Sequence, residues 1–370
     1  MTPGGADVER ERPARQAYLR RIALAVAAVS ALVLFLFAVR LLGAATEAAA
    51  PAFRSEFKTL VVGEAGALGA SWLATYVLTN GSVVAALSIS LLVAEVVTES
   101  QVFLLIAGSR LGGAAIVLLI GGLEYVRQRR FSVRHATGLG VLTFIVTVSI
   151  YVPATVLGYL SLPVVRPELA GFSRSAGFEG RPLALFEGLT DAVLGVTGPL
   201  LGFILSLGLL LACTDLFDRL LSRVETDAVR EQFFGRLRQR WVSFGIGLLV
   251  TGLTTSVAFS LGVIVPLYNR DYVTRREIVP YILGANIGTF SDTFVVAVVL
   301  GSEPSIAAVL TLVGAAFAVT LVVLAAFESY RGGIAAVQDG LEADRRRFTA
   351  FLAALVALPL ALVVLGTVLP

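Results

Sequence analysis

The stretch ILGANIGTFSDT, residues 282–293, sets two glycines four residues apart around an asparagine and follows them with hydroxyls and an aspartate. Gly284 and Gly288 allow the backbone to leave helical geometry, which frees carbonyl oxygens for a hard cation and amide N–H groups for an anion. Asn286, Thr289 and Ser291 add neutral oxygens, and a small dehydrated cation can be held by such oxygens with no charge among them. The competing reading is a close-packed helix face, because Gly284 and Gly288 have small-xxx-small spacing. Packing alone does not account for the polar residues beside them. Asp292 falls inside an apolar run, where an ionisable group is costly and is by default a functional candidate. It could lend a ligand charge to a cation, carry a proton, pair with Arg110 or face a wet vestibule.

Arg110 stands alone in a second apolar run, within IAGSRLGGA. Its planar guanidinium suits bidentate binding of an oxyanion. It could equally act as a built-in cation, or form a buried pair with Asp292, Asp191 or Glu99. Hydroxyls crowd two further points: Thr75, Thr79, Asn80 and Ser82 in one, Thr251, Thr254, Thr255, Ser256 and Ser260 in the other. Any single hydroxyl in a membrane helix can simply bond back to the carbonyl four residues earlier. As clusters at breaks they are better explained as lining a site.

The elements that must position these groups are membrane helices. Of 370 residues 57% are hydrophobic and 15% charged, with mean hydropathy +0.87. Apolar runs at 22–44, 136–160, 193–213, 306–327 and 351–369 each approach the ~20 residues needed to cross a bilayer. The first run is too long for a signal-peptide core and reads as a true span. One cysteine, Cys213, excludes an internal disulfide, and with the lone His135 it argues against zinc or redox chemistry. The 29 basic residues oppose 26 acidic ones and lie in loops, which orients a membrane protein and does not suggest nucleic-acid binding. Twenty-two of them precede Ile22 or lie in 124–135, 215–240, 268–277 and 331–347, against five in 47–58 and 161–187. The positive-inside rule then puts the N-terminus in the cytoplasm.

Two apolar regions, 61–94 and 241–267, are long for one helix, and each is broken by a polar knot, TNGS at 79–82 and TTS at 254–256. The charge assignment requires each to enter and return on one side, as a re-entrant or broken helix. Shifting the chain by 176 residues sets Thr75 on Thr251, Thr79 on Thr255, Thr98 on Thr274, Gly108 on Gly284 and Gly112 on Gly288. Eight of 40 pairs over 75–114 are identical, which is weak; coincidence of the breaks is the stronger sign. The matched loops AEVVTESQ (94–101) and RDYVTRRE (270–277) have opposite charge, implying opposite orientation. That is the inverted-repeat plan of many secondary transporters.

The expected fold is therefore an all-α polytopic membrane protein with two inverted-topology repeats, re-entrant or broken helices and one extra C-terminal span. Its parts are a cytoplasmic tail (1–21), a first repeat (22–160), an extracellular linker (161–189), a second repeat (190–327), a cytoplasmic loop (328–350) and a final helix (351–370). Outside the breaks, Arg40 is expected to snorkel and Glu64 to be interfacial. Asp191 is expected to cap a helix, and 215–240 to form an amphipathic or solvated helix.

TGLTTSVAFS (251–260) followed by ILGANIGTF (282–290) resembles the paired signature of the sodium/phosphate cotransporter family, T-x-x-x-Q-S-S-S and then G-A-N-I-G-T-T. Thr251 takes the threonine, Thr255 the glutamine, and Ser256, Val257 and Ala258 the serines. Gly284 through Thr289 match the second motif, which departs at Phe290. In the first half Thr75 keeps the threonine, Thr79 replaces the glutamine, Asn80, Gly81 and Ser82 replace the serines, and GSRLGG stands for the second motif. The resemblance implies sodium and phosphate bound at the polar breaks. Substrate contacts are then expected from Arg110, Thr79, Asn80, Ser82, Thr255 and Ser256. Sodium ligands are expected from Thr251, Thr254, Ser260, Asn286, Thr289, Ser291 and Asp292, with backbone breaks at Gly81, Gly108, Gly112, Gly284 and Gly288.

The function expected is sodium-coupled symport of inorganic phosphate or a similar oxyanion by alternating access, in the plasma membrane, with no cofactor beyond the coupling ion. Its partners are that anion, sodium and the bilayer, with a homo-oligomer left open. No nucleophile–base pair stands out, which disfavours an enzyme. Two rivals remain: an uncoupled anion channel or exporter on the same fold, favoured by Arg110 standing where the repeat has asparagine, and a non-transporting scaffold or sensor.

Overall fold

The computed structural model describes residues 5–128, 133–175, 177, 184–223, 237–257, 260, 264 and 273–368. Among them there is no strand. The helices are α1 (Gly5–Leu60), α2 (Gly63–Leu78), α3 (Gly81–Val93), α4 (Glu99–Gln128), α5 (Val133–Ser175), α6 (Glu187–Leu221), α7 (Arg240–Thr254), α8 (Arg275–Gly288), α9 (Phe290–Val299), α10 (Glu303–Ala325), α11 (Phe327–Glu342) and α12 (Arg345–Val368). Six stretches among the described residues are long and apolar enough to span a membrane: Ile22–Arg54, Gly138–Leu169, Glu187–Leu221, Arg275–Val299, Glu303–Ala325 and Arg345–Val368. Apolar side chains such as Val196, Leu201, Ile204, Leu253 and Val322 stand exposed on the outer helix faces. That surface suits lipid rather than water.

Several boundaries differ from the sequence expectation. α1 already begins within the expected tail, and α5 runs on to Ser175, well into the expected linker. Pro163 and Pro167 are accommodated inside α5. The expected loop at 328–350 is mostly α11, which buries Phe327, Ile334 and Gln338 on one side. α11 is tied to the start of α8 by Arg275–Asp339 (3.0 Å) and Arg276–Glu328 (2.8 Å), and Gln338 donates to Gly138 O at 2.8 Å. The amphipathic pattern, overlooked in a charge-rich segment, is the reason. Asp191 does not cap α6, whose N-cap position is Phe186; it is an exposed residue within the helix. Arg40 does not merely reach the interface but meets Glu187 at 3.5 Å. Glu64 is exposed. Of the 215–240 run, α6 takes the first part to Leu221 and residues 224–236 lie outside the described residues.

The breaks fall where the polar knots are. α2 has 16 residues and α3 has 13. At about 1.5 Å per residue, neither reaches the ~30 Å of a hydrocarbon core. Thr79 between them is left-handed (φ 54°), and so is Thr255 at the end of α7 (φ 53°). Most of residues 257–272, including Ala258, lies outside the described residues.

Packing repeats at the same 176-residue offset. A Cβ on Gly108 of α4 would meet Leu68 O of α2 at 2.3 Å, and one on Gly284 of α8 would meet Phe244 O of α7 at 2.0 Å. One turn on, Gly112 faces Trp72 O (2.7 Å) and Gly288 faces Leu248 O (2.6 Å). Each glycine pair thus brings two helix backbones into contact, α2 with α4 and α7 with α8. Capping recurs as well. Thr98 N donates to Gln101 Oε1 (2.9 Å) at the start of α4, and Thr274 N to Glu277 Oε2 (2.8 Å) at the start of α8. The packing reading of Gly284 and Gly288 is therefore correct for their Cα faces, and the asparagine between them is free to serve another purpose.

Around these pairs, α1 packs on α6, α5 on α10 and α4, and α12 on α2. The last contact is a glycine crossing, where a Cβ on Gly366 would lie 2.2 Å from Val62 O, and Tyr76 donates its hydroxyl to Leu355 O at 2.8 Å.

Candidate functional site

Arg110 lies on α4 between Gly108 and Gly112, turned away from the face that those glycines hold against α2, and its side chain is 5% exposed. Asp292, 8% exposed, lies in the first turn of α9, just beyond the Thr289 step that separates α9 from α8. The two form an ion pair at 3.2 Å. Arg110 Nη1 also donates to Thr289 Oγ1 at 3.2 Å, and Nη2 to Thr293 Oγ1. The guanidinium stacks over Phe290, 4.8 Å from the ring centroid. Asp292 Oδ1 additionally accepts from Thr293 Oγ1 at 2.9 Å and from Thr293 N at 2.5 Å. Two opposite charges buried this deeply survive only when paired and hydrogen-bonded, and both conditions are met. Of the three partners open for Arg110 in the sequence, Asp292 is the one in place. Glu99 pairs with Arg166 at 2.7 Å, and Asp191 is exposed on α6.

Asn286 is buried one turn before Thr289 on α8. Thr147 Oγ1 of α5 donates to its Oδ1 at 3.2 Å, and the Tyr151 hydroxyl donates to its carbonyl oxygen at 2.6 Å. Tyr151 also meets Phe290 edge-on, at 5.7 Å between centroids, so α5 braces the α8–α9 step from behind. Two buried side-chain N–H groups remain without a hydrogen-bond partner among the described residues: Arg110 Nε and Asn286 Nδ2. Positions 110 and 286 are the pair related by the 176-residue offset.

The α7 break is held by hydroxyls. Thr251 Oγ1 donates to Ser260 Oγ at 2.6 Å; Ser260 Oγ lies 2.8 Å from the Tyr281 hydroxyl, which donates to Ser260 O at 2.8 Å. All three residues are buried. Thr254 Oγ1 donates to Val250 O, Ser291 Oγ to Gly288 O and Thr79 Oγ1 to Leu78 O, so these hydroxyls serve their own helices. At the first break Asn80 Oδ1 caps α3, accepting from Ser82 N and Val83 N at 3.0 and 3.1 Å. A Cβ on Gly81 would meet Ser109 O of α4 at 2.7 Å, which brings this α3 N-terminus beside the residue preceding Arg110.

One helix reaches both breaks. Asn80 Nδ2 donates to Thr214 Oγ1 at 3.0 Å, and Ser256 Oγ donates to Asp218 Oδ1 at 2.5 Å. Thr214 and Asp218 are one turn apart on α6, so the same helix end touches the α2–α3 tip and the α7 tip.

The structure thus gathers Arg110, Thr289 and Asp292 in one buried knot and Thr251 with Ser260 in another. Sequence reading missed Thr147, Tyr151, Tyr281, Phe290, Thr293, Thr214 and Asp218. Thr293 was within reach, being the last letter of the quoted stretch; the α5 and α6 residues carry no motif and become neighbours only through packing.

Multiple apolar helices around a buried, charge-paired break define a multi-pass membrane protein. Residues 209–338 match the family model described as Na+/Pi-cotransporter, which bears out the resemblance carried by GANIGT. The matched stretch takes in the end of α6, α7 to α10 and most of α11. No curated protein and no solved structure matches the chain.

Proposed function

We propose that the protein is a secondary active transporter that moves inorganic phosphate or a similar oxyanion across the plasma membrane by alternating access between two inverted halves. The anion reading rests on one observation above all: Arg110 Nε and Asn286 Nδ2 are buried N–H donors without a partner among the described residues. A buried donor left unpaired costs about 1–3 kcal/mol, so two of them at offset-related positions call for an acceptor-rich ligand. An oxyanion supplies such acceptors, one to each of these two N–H groups. The capped N-terminus of α3, with Asn80, Gly81 and Ser82, would add backbone amides to the same anion. Thr79, Thr255 and Ser256 at the two tips would complete its surroundings. Sodium coupling falls in this reading to the oxygens of the α7 break and the α8 end, Thr251, Thr254, Ser260, Asn286 and Ser291.

The repeated packing, capping and left-handed threonines support the two-halves plan, and the opposite charge of loops 94–101 and 270–277 supports inversion. The cytoplasmic N-terminus follows from the positive-inside count. The Arg110–Asp292 pair favours a second reading, an uncoupled channel or exporter, because it ties up a carboxylate that coupling would use. Labelled phosphate flux into proteoliposomes tests both. Sodium-driven accumulation is the expected result; downhill flux indifferent to sodium would select the uncoupled reading. Absence of flux for phosphate and related oxyanions would overturn both and leave a scaffold or sensor.

A further inference from the structure

We propose that Arg110 is a tethered cation, standing where a mobile monovalent cation would otherwise bind, so that Thr289 and Asp292 are not sodium ligands in this protein. The inference deepens the transport reading above by fixing which part of the ion requirement the chain itself supplies.

Three oxygens converge on the guanidinium: Thr289 Oγ1, Thr293 Oγ1 and Asp292 Oδ1. Two hydroxyls and one carboxylate at a helix break are the donor set a hard monovalent cation takes, and two of these three residues were expected as sodium ligands on sequence grounds. Sodium does not fit there because the guanidinium already occupies the centre of that set. Its charge balances Asp292 within the buried knot, and a second cation there would meet like charge at contact distance. Phe290 adds a face suited to a planar cation, 4.8 Å from the guanidinium carbon. A sodium ion gains little from such a face compared with a sixth oxygen.

Register gives the second line of support. Position 110 corresponds to Asn286 at the repeat offset, and the glycines flanking both make matching backbone contacts. Asn286 keeps a neutral amide with its oxygen taken by Thr147, whereas Arg110 extends its charge across to α9. The first half thus supplies a fixed charge to a carboxylate of the second. A fixed charge cannot be released to one side of the membrane, so this site contributes no gradient energy to transport.

The test restores the repeat's own residue. Full-length protein in detergent carries Arg110→Asn, with Arg110→Asn/Asp292→Asn as the charge-neutral control, and melting is compared in sodium chloride and choline chloride. Arg110→Asn is expected to melt about 3 °C or more higher in sodium, because an ion that binds only the folded state stabilises it. The double variant should show no difference between the salts. Equal melting of Arg110→Asn in both salts would overturn the proposal, since Asp292 would then be neutralised by a proton. Should Arg110→Asn fail to fold in either salt, 22Na+ binding to the unmodified protein and to Asp292→Asn decides. Equal binding supports the tethered cation, and loss of binding in Asp292→Asn overturns it. Neither readout requires transport. Sodium-dependent melting of Arg110→Asn without any phosphate flux by the native protein would sink the transport reading and leave this one standing.

Discussion

Replacing Gly284 with alanine probes the contact on which the second half of the molecule is built. The added Cβ would lie 2.0 Å from Phe244 O and 2.6 Å from Leu248 N, where ordinary contact begins near 3.4 Å. The obstacles are main chain and cannot rotate away, so α8 must withdraw from α7 by about 1.4 Å. Overpacking of this kind costs about 1–3 kcal/mol, and a gap this large belongs at the upper end. Alanine recovers up to about 1 kcal/mol of helix propensity, which leaves a net loss of about 2 kcal/mol. In a chain of this size that lowers the melting temperature by about 2.5 °C, measurable by thermal unfolding in detergent. The same withdrawal carries Asn286 and Thr289 away from Thr147 and Arg110, so labelled phosphate flux should fall with stability. Gly314→Ala on α10 is the control, because nothing lies within 4 Å of its Cβ position, and it should melt at or slightly above the native value. Gly108→Ala, facing Leu68 O at 2.3 Å, should behave like Gly284→Ala if the two helix pairs are copies of one arrangement. Equal melting and equal flux in Gly284→Ala and Gly314→Ala would refute the backbone contact between α7 and α8.

Tyr151→Phe removes the 2.6 Å donation to Asn286 O and leaves a buried carbonyl with one partner fewer, a loss of about 1–1.5 kcal/mol in unfolding experiments. It should also weaken phosphate affinity, read as a raised KM for flux; unchanged KM would remove Tyr151 from the bracing role given to it. Thr214→Val and Asp218→Ala each delete the α6 acceptor for one break, Asn80 or Ser256. Both should lower maximal flux while leaving melting nearly unchanged, because Asp218 is exposed and Thr214 half-buried. Native flux in both variants would show that the breaks move independently of α6.

Arg110 and Asp292 show how far sequence reading reaches at this site. An ionisable residue inside an apolar run is conspicuous by cost alone, and both were picked out for that reason. Which carboxylate Arg110 meets could not be read, since Glu99, Asp191 and Asp292 are all compatible with a guanidinium on a long stem. Gly284 and Gly288 illustrate a different limit. Their spacing serves a close helix contact and a polar break equally well, and the structure uses it for the contact while Asn286 and Thr289 carry the polar face. The hydroxyls of Thr79, Thr254 and Ser291 look like ligands in the sequence and bond to their own helix carbonyls in the fold.

Sequence by itself determined that the chain is a bundle of membrane helices, that helices stop at the polar knots TNGS and TTS, and that residues around GANIGT carry a transporter family's signature; the breaks expected at Gly108, Gly112 and Gly284 instead lie inside α4 and α8. Those features are local: hydropathy is summed along a run, glycine and asparagine act on their own backbone, and a motif is a string. Only the tertiary structure decided that α5 delivers Thr147 and Tyr151 to Asn286, that one turn of α6 reaches both breaks, and that the Arg110 guanidinium fills the oxygen set of Thr289, Asp292 and Thr293. Those contacts join residues up to 183 positions apart. No local rule fixes them, because they depend on how glycine-lined helix faces seat against one another in three dimensions.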